Sequence, residues 1–161
     1  MSLAANLSPD QSQQLIYATL NNAGIPDPLA MLVTAQSGHE TGGWTSNVYK
    51  TLNNAFGYGF TGTSYRQYAA VEDSVADIVK YIQNRVQDGS FPSLDQITDP
   101  GQYAQLLQDA APGPYYQDTE ANYAAGIVRW MNSNLGAAVA ISGGTLLLLA
   151  AAVYFLFFYK K

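Results

Sequence analysis

At 161 residues the chain suits one compact domain with an appendage. It holds no cysteine and a single histidine, so disulfides and Cys-ligated metal are excluded. A Ser/His/Asp triad or a His-based metal cluster would have to be built around that one imidazole. The net charge is −5, and the basic residues ahead of the C-terminal segment, Lys50, Arg66, Lys80, Arg85 and Arg129, are scattered singly along the chain. That distribution argues against a nucleic-acid partner, because phosphate backbones need a basic stripe; an uncharged or cationic polymer fits better. No metal and no cofactor is expected.

The first residues, Met1 to Asn6, have neither a basic n-region nor an apolar h-region, so no cleavable secretion signal is expected. Ser8-Pro9-Asp10-Gln11 reads as an N-cap, a first-turn proline and a capping-box glutamine, opening a helix toward Gly24. Asp27-Pro28 opens the next helix. It stops at Gly42-Gly43, where two glycines let the backbone turn away. Leu29, Val33, Gln36 and Glu40 fall at i, i+4, i+7 and i+11 along it, so Glu40 lies on the apolar stripe at the helix end. Burial and the partial negative charge of a helix C-terminus both disfavour the ionised carboxyl. A carboxyl protonated near neutral pH is able to donate to a leaving oxygen, so Glu40 is a candidate general acid; the alternative is a solvated helix-end residue. His39 reads as a structural hydrogen-bonding residue.

From Thr41 to Thr63 the chain turns rich in Gly, Asn, Thr and aromatics, with Phe56-Gly57-Tyr58-Gly59-Phe60 in the middle, which suggests a loop or small hairpin and not a helix. Helix returns with Val71, Val75, Ile78, Val79, Ile82 and Val86 at helical spacing, with Glu72, Asp73 and Asp77 in the first turns and Gly89 as the stop. Asp99-Pro100 starts another, with Tyr103, Leu106, Leu107 and Ala110 inward, ended by Pro112-Gly113-Pro114. The last helix of the domain begins near Thr119, with Tyr123, Ile127, Val128 and Met131 as its inner face.

That helix runs on into an apolar segment. Trp130 to Tyr159 contains no charged residue, and residues 135–159 are long enough to cross a bilayer that needs about 20 apolar residues. Tyr154, Phe155, Phe157, Phe158 and Tyr159 crowd the end, followed by Lys160 and Lys161, as expected for an interfacial belt and a basic stop on the cytoplasmic or virion-interior side. Residues 1–134 therefore read as a domain, 135–159 as a transmembrane helix and 160–161 as the stop. Gly136, Ala140 and Gly144 form a small-xxx-small row through which the helix could self-associate.

Four segments together resemble the lysozyme-like glucosaminidase family of peptidoglycan hydrolases, found in bacterial autolysins, flagellar muramidases and phage lysins. Ala35 to Gly42 is similar to the family's catalytic segment, a helix ending in Glu followed by Ser or Thr and Gly. Asn53-Asn54-Ala55-Phe56-Gly57 resembles its Asn-x-Phe-Gly segment. Tyr65-Arg66-Gln67-Tyr68 and Glu72 to Asp77 match an aromatic-rich stretch leading into an acidic helix start. Tyr115-Tyr116-Gln117-Asp118, with Tyr123 beyond, is similar to the family's Tyr-x-x-Asp and following Tyr-Ala. The resemblance covers Leu15 to Met131.

It implies a mainly α, lysozyme-like helical domain with a small irregular or hairpin lobe, and a cleft for a glycan of alternating N-acetylglucosamine and N-acetylmuramic acid. Glu40 would be the acid and Tyr115 would line the cleft. Asn54, Phe56 and Trp44 would meet sugar rings, whereas Tyr65 and Tyr68 read as packing residues of a hairpin. No aspartate or glutamate lies between Glu40 and Glu72, so this lobe lacks the base or nucleophile that two-carboxylate glycosidases place about 5 to 9.5 Å from the acid. Asp118 is a possible second carboxylate, although its position suits a helix cap. Two routes need only one protein carboxyl: attack by the substrate's own N-acetyl group, or attack by the muramic acid 6-hydroxyl giving a 1,6-anhydro product. The expectation is a membrane-anchored peptidoglycan hydrolase, carried in a virion membrane or the host inner membrane. The other class is a non-catalytic glycan-binding or structural virion membrane protein.

Overall fold

The computed structural model describes residues 3–60, 62–110, 115–116 and 118–132. Over these the chain is mainly α, with six helices and no strand: α1 (Pro9–Asn22), α2 (Asp27–Glu40), α3 (Asn47–Leu52), α4 (Val71–Gln87), α5 (Pro100–Asp109) and α6 (Glu120–Trp130). Short 3-10 turns lie at Leu3–Asn6 and Leu94–Gln96. The expected transmembrane helix at 135–159, its basic stop and the Gly136/Ala140/Gly144 row lie outside the described residues. Within those residues no helix is long and apolar enough to cross a membrane.

The caps form where the sequence places them. Ser8 Oγ accepts from the Gln11 amide at 3.2 Å while Gln11 Oε1 accepts from the Ser8 amide at 2.9 Å, so two otherwise orphaned donors at the start of α1 are satisfied reciprocally. Asp99 and Thr119 cap α5 and α6 from one side, accepting from the Gln102 and Asn122 amides. On α4, Val71, Val75, Ile78, Val79 and Ile82 are buried at the expected spacing. On α6 the inner face is narrower than expected: Tyr123 and Ile127 are buried but Val128 is 39% exposed, because the helix turns Gly126 and Trp130 toward its neighbours instead.

α2 differs most from the striped helix its spacing suggested. It packs against α1 on one side and α6 on the other, and every residue from Leu32 to Gly38 is buried. A helix buried all round is the centre of a domain. Its polar side chains must then find partners inside the protein, and they do: Thr34 Oγ1 donates to the Ala30 carbonyl at 2.7 Å and Ser37 Oγ to the Ala55 carbonyl at 2.6 Å.

The segment after α2 is compact, and it contains a helix where none was expected. Ser46 caps α3 through the Tyr49 amide, and Asn53 ends it in the left-handed conformation at φ 53°. The remainder is an irregular lobe held by side chains in place of a strand ladder. Asn53 Nδ2 donates to the Tyr68 and Ala69 carbonyls, and Asn54 Nδ2 to the Tyr58 and Arg66 carbonyls. The turn into this lobe uses three left-handed residues, Gly42, Gly43 and Trp44. Trp44 Nε1 then donates to Ser37 Oγ at 3.0 Å, and its ring meets Trp130 edge-on at 5.7 Å.

Gly43 is required twice over. Its φ is 74°, and a Cβ there would lie 2.4 Å from the Trp130 ring. Gly24 has a similar φ of 80° with open space around it. Gly43→Ala should therefore lower the unfolding free energy by about 2–4 kcal/mol, against about 1–2 kcal/mol for Gly24→Ala. Urea denaturation measures both; equal losses would show that the Trp130 contact does not set the cost.

Candidate active site

Glu40 is the last residue of α2, half-buried where the helix core meets the irregular lobe. Its Oε1 accepts a short hydrogen bond from the Tyr123 hydroxyl on α6. That hydroxyl in turn accepts from Gln36 Nε2 at 3.2 Å, and Gln36 Oε1 accepts from the Tyr103 hydroxyl of α5 at 2.6 Å. Gln36 lies one helical turn before Glu40, so the two side chains share a face and the relay crosses from α5 through α2 to α6 without leaving the interior. Every donor in it has one acceptor, which fixes both the phenol and the carboxyl.

Burial pushes the Glu40 carboxyl above its ordinary value, and the Tyr123 hydrogen bond offsets part of that rise by favouring the ionised form. Burial also drives the Tyr123 phenol far up, with the Glu40 charge adding to it, so Tyr123 keeps its proton and donates it toward Glu40. The proton of a neutral Glu40 therefore belongs on Oε2. That oxygen faces Gly57: a Cβ built there would sit 3.9 Å from Oε2 and equally far from the Tyr65 ring. Glycine at this position, in the left-handed region at φ 59°, leaves open the space in front of the acid.

The aromatic residues divide differently from expectation. Trp44 and Phe56 are 1% and 2% exposed and belong to the core, so neither ring has a face left for a sugar. Asn54 is fully buried; its Oδ1 accepts from the Phe56 and Tyr58 amides while its Nδ2 holds two carbonyls, which leaves it organising the lobe instead of reaching a ligand. Tyr115 lies near the acid, close enough for the Glu40 charge to push its buried phenol up further. Its hydroxyl donates to the Phe56 carbonyl at 3.1 Å, clamping the lobe to the segment ahead of α6.

Tyr65, expected to pack in a hairpin, is 38% exposed and pairs with Phe60, 59% exposed, at 4.8 Å between ring centroids. These two rings supply the open apolar surface beside Gly57. Tyr68 is a partner of the α4 helix, its hydroxyl donating to Asp77 at 2.8 Å. Sequence reasoning missed the Phe60 and Tyr65 pair because the segment carries no periodicity from which to read a face; the one signal was the density of aromatics and glycines.

No second carboxylate faces Glu40 among the described residues. Asp118 is exposed at the start of α6, where its Oδ1 accepts from the Thr119 amide at 2.7 Å and from Asn122 Nδ2 at 3.1 Å. Those bonds hold its carboxyl below the usual range, and the nearest charge effect on it comes from His39. Asp73 accepts from the Ala70 amide at 2.9 Å as a helix-start residue, and Asp77 is engaged by Arg66 and Tyr68. His39 itself packs edge-on against Tyr123 at 5.2 Å and against Gly126, and burial lowers its basicity.

Because the folded pKa of Glu40 is raised, its ionisation is easier in the unfolded chain. The wild type keeps full stability only below the unfolded value and loses some as pH rises through the folded one. Glu40→Gln keeps an acceptor for Tyr123 and carries no charge. It should melt above the wild type at pH 8, and the gap should close below the ordinary value of 4.5. Thermal melts at both pH values check this; a gap independent of pH would remove burial of the charge as its cause.

The glucosaminidase family, described as mannosyl-glycoprotein endo-beta-N-acetylglucosaminidase, matches residues 14–135, a span that takes in most of α1 and all of α2 to α6. No curated relative and no solved structure matches the chain. A match over three-quarters of the sequence, which includes the helix that ends in a half-buried, hydrogen-bonded glutamic acid, leads to one conclusion: the chain belongs to the glucosaminidase family, glycosidases that act on peptidoglycan.

Proposed function

We propose that Glu40 is the general acid of this glycosidase and that it cleaves the strand between N-acetylglucosamine and N-acetylmuramic acid in a lysozyme-like cleft. One observation carries the reading: Oε1 is held by Tyr123, while Oε2, the oxygen that bears the proton, faces the space left by Gly57. A glycosidic oxygen entering that space receives the proton as its bond to the anomeric carbon breaks. The sugar on the other side of the bond becomes cationic and needs an electron pair. With no carboxylate opposite Glu40 among the described residues, the N-acetyl oxygen of the same sugar supplies it, and water later opens the resulting ring, which returns a proton to Glu40. The family's description as an N-acetylglucosaminidase supports N-acetylglucosamine as the sugar that is attacked. The second reading, attack by the 6-hydroxyl of muramic acid to leave a 1,6-anhydro end, requires the opposite sugar at that position. Phe60 and Tyr65 are the rings placed to stack on the strand.

Placement in a membrane, of the host or of a virion, belongs to the same proposal. It is supported by the uncharged run at 135–159 with its aromatic and dilysine end, so close behind α6 that the acid would reach only glycan lying near the bilayer.

Glu40→Gln should lower turnover on peptidoglycan by about 10²–10⁴-fold, the range for loss of a general acid. Mass spectrometry should find hydrolysed reducing ends, and products lacking one water would favour the anhydro route. Activity needs the protonated acid, so it falls as pH rises through the Glu40 pKa. Tyr123→Phe removes a bond that favours the ionised form and should move that alkaline limb to higher pH; a limb unmoved by both substitutions would belong to another group. For the membrane, the full chain should sediment with vesicles after alkaline carbonate washing, whereas a chain ending at residue 134 should not. Equal release of both would end the anchor proposal.

A further inference from the structure

The basic residues that are scattered singly along the sequence are not scattered in space. Arg66, Lys80 and Arg85, three of the five ahead of the apolar segment, line one pocket of about 300 Å³ in a chain of net charge −5. That volume is at the lower end of the range of about 300–1,000 Å³ for sites that hold small ligands. Asp77, Lys80, Tyr81, Asn84 and Arg85 fall at i, i+3, i+4, i+7 and i+8, so one face of α4 forms its floor. The irregular lobe forms the facing wall through Tyr58 and Arg66. Arg66 is fixed there by Asp77, and its guanidinium lies 5.8 Å from the Tyr58 ring centre. Asp77 is the one carboxylate lining the pocket against three cations; Asp88, just outside the lining, pairs with Arg85 at 3.1 Å. Lys80 is exposed and makes no ion pair among the described residues.

The pocket also borders the acid's cleft. Its wall residue Tyr58 stacks on Tyr115 at 6.2 Å and 15° between planes, and Tyr81 of the floor packs against the same Tyr115 ring at 5.9 Å. Tyr115 in turn holds the Phe56 carbonyl, next to the Gly57 that faces Glu40. One layer of aromatic rings therefore separates an electropositive pocket from the site of bond cleavage. A glycan of N-acetylated sugars is neutral along its backbone. In peptidoglycan the anionic groups next to the cleaved bond are the carboxylates of the peptide stem, which is joined by an amide to the lactyl ether of muramic acid; only a muramic acid without a stem keeps a free lactyl carboxylate.

We propose that this pocket is a subsite for the carboxylates of the peptide stem, so that the enzyme engages strands bearing stems more tightly than bare glycan. The proposal rests on peptidoglycan as the substrate but not on Glu40 as the acid. Binding is measured by titration calorimetry with the full-length Glu40→Gln chain in detergent, and mass spectrometry of the recovered fragments checks that they stay intact during the titration. Three probes are compared: a soluble disaccharide with its peptide stem, the same disaccharide with only the lactyl group, and poly(glycerol phosphate). The stem-bearing fragment should bind best. Adding Lys80→Ala should weaken it on the order of 3–10-fold, Lys80→Arg should retain most of the affinity, and the lactyl disaccharide should be indifferent to both. The stem-dependent part should also weaken as salt is raised. Equal affinity for the two disaccharides, an equal effect of Lys80→Ala on both, or preference for the phosphate polymer would overturn the stem assignment. Stem-dependent binding together with undiminished clearing by Glu40→Gln would sink the acid and leave the pocket standing. Clearing lost in Glu40→Gln with binding blind to the stem would do the reverse.

Discussion

The structure depends on satisfying the polar groups of a helix that is buried on every side. α2 carries Thr34, Gln36 and Ser37 into the interior, where an unpaired amide or hydroxyl costs about 1–3 kcal/mol. Thr34 bonds back to the Ala30 carbonyl within the helix, and Gln36 and Ser37 find partners in other parts of the fold. Ser37 binds the Ala55 carbonyl and receives the Trp44 indole, which seats the irregular lobe. Gln36 joins Tyr103 of α5 to Tyr123 of α6. The same bonds that remove the desolvation cost therefore set where the lobe and the last two helices sit around Glu40.

The lobe shows how an irregular segment is made definite without strands. Asn53 and Asn54 each bond to backbone groups from a distant part of the lobe, so two short side chains do the work of a sheet ladder. Ser74 of α4 donates to the Val71 carbonyl and accepts from the Ala55 amide, which closes the lobe onto its following helix. The lobe can then present Gly57 to the acid at a fixed distance. Glu40 and the lobe that faces it are thus both held by hydrogen bonds within the interior.

Two opposing influences act on the Glu40 carboxyl. Burial favours the neutral form, and the Tyr123 hydrogen bond favours the charged one. Burial is the larger, so the carboxyl is held above its ordinary value, while the Tyr123 hydrogen bond favours the carboxylate once it is ionised. With no second carboxylate opposite it among the described residues, the environment of the acid is made of neutral groups. The nearest source of positive charge on the lobe side is set back behind the Tyr58 and Tyr115 rings, where it does not oppose protonation of Glu40.

Much of this was legible in the residues themselves. Ser8 with Gln11, Asp99 and Thr119 announce helix starts through local chemistry, and the valines and isoleucines of α4 repeat often enough to identify its buried face. Glu40 could be named because it ends an apolar helix before two glycines, and the lack of acidic residues up to Glu72 was a matter of counting. α3 was hidden because six residues between a capping Ser46 and a left-handed Asn53 are too few to show a period. The all-round burial of α2, the enclosure of Trp44, Asn54 and Phe56, the exposure of Tyr65 and the gathering of Arg66, Lys80 and Arg85 were hidden for another reason. Each depends on what a residue far along the chain places next to it. Sequence by itself determined five of the six described helices, the place of Glu40 at the end of one of them and the apolar C-terminal run, since caps, periodicity and charge counts are local. Only the tertiary structure decided which aromatic rings are buried and which are exposed near Glu40, and where the cations meet, because burial belongs to packed pairs of elements and not to any one of them.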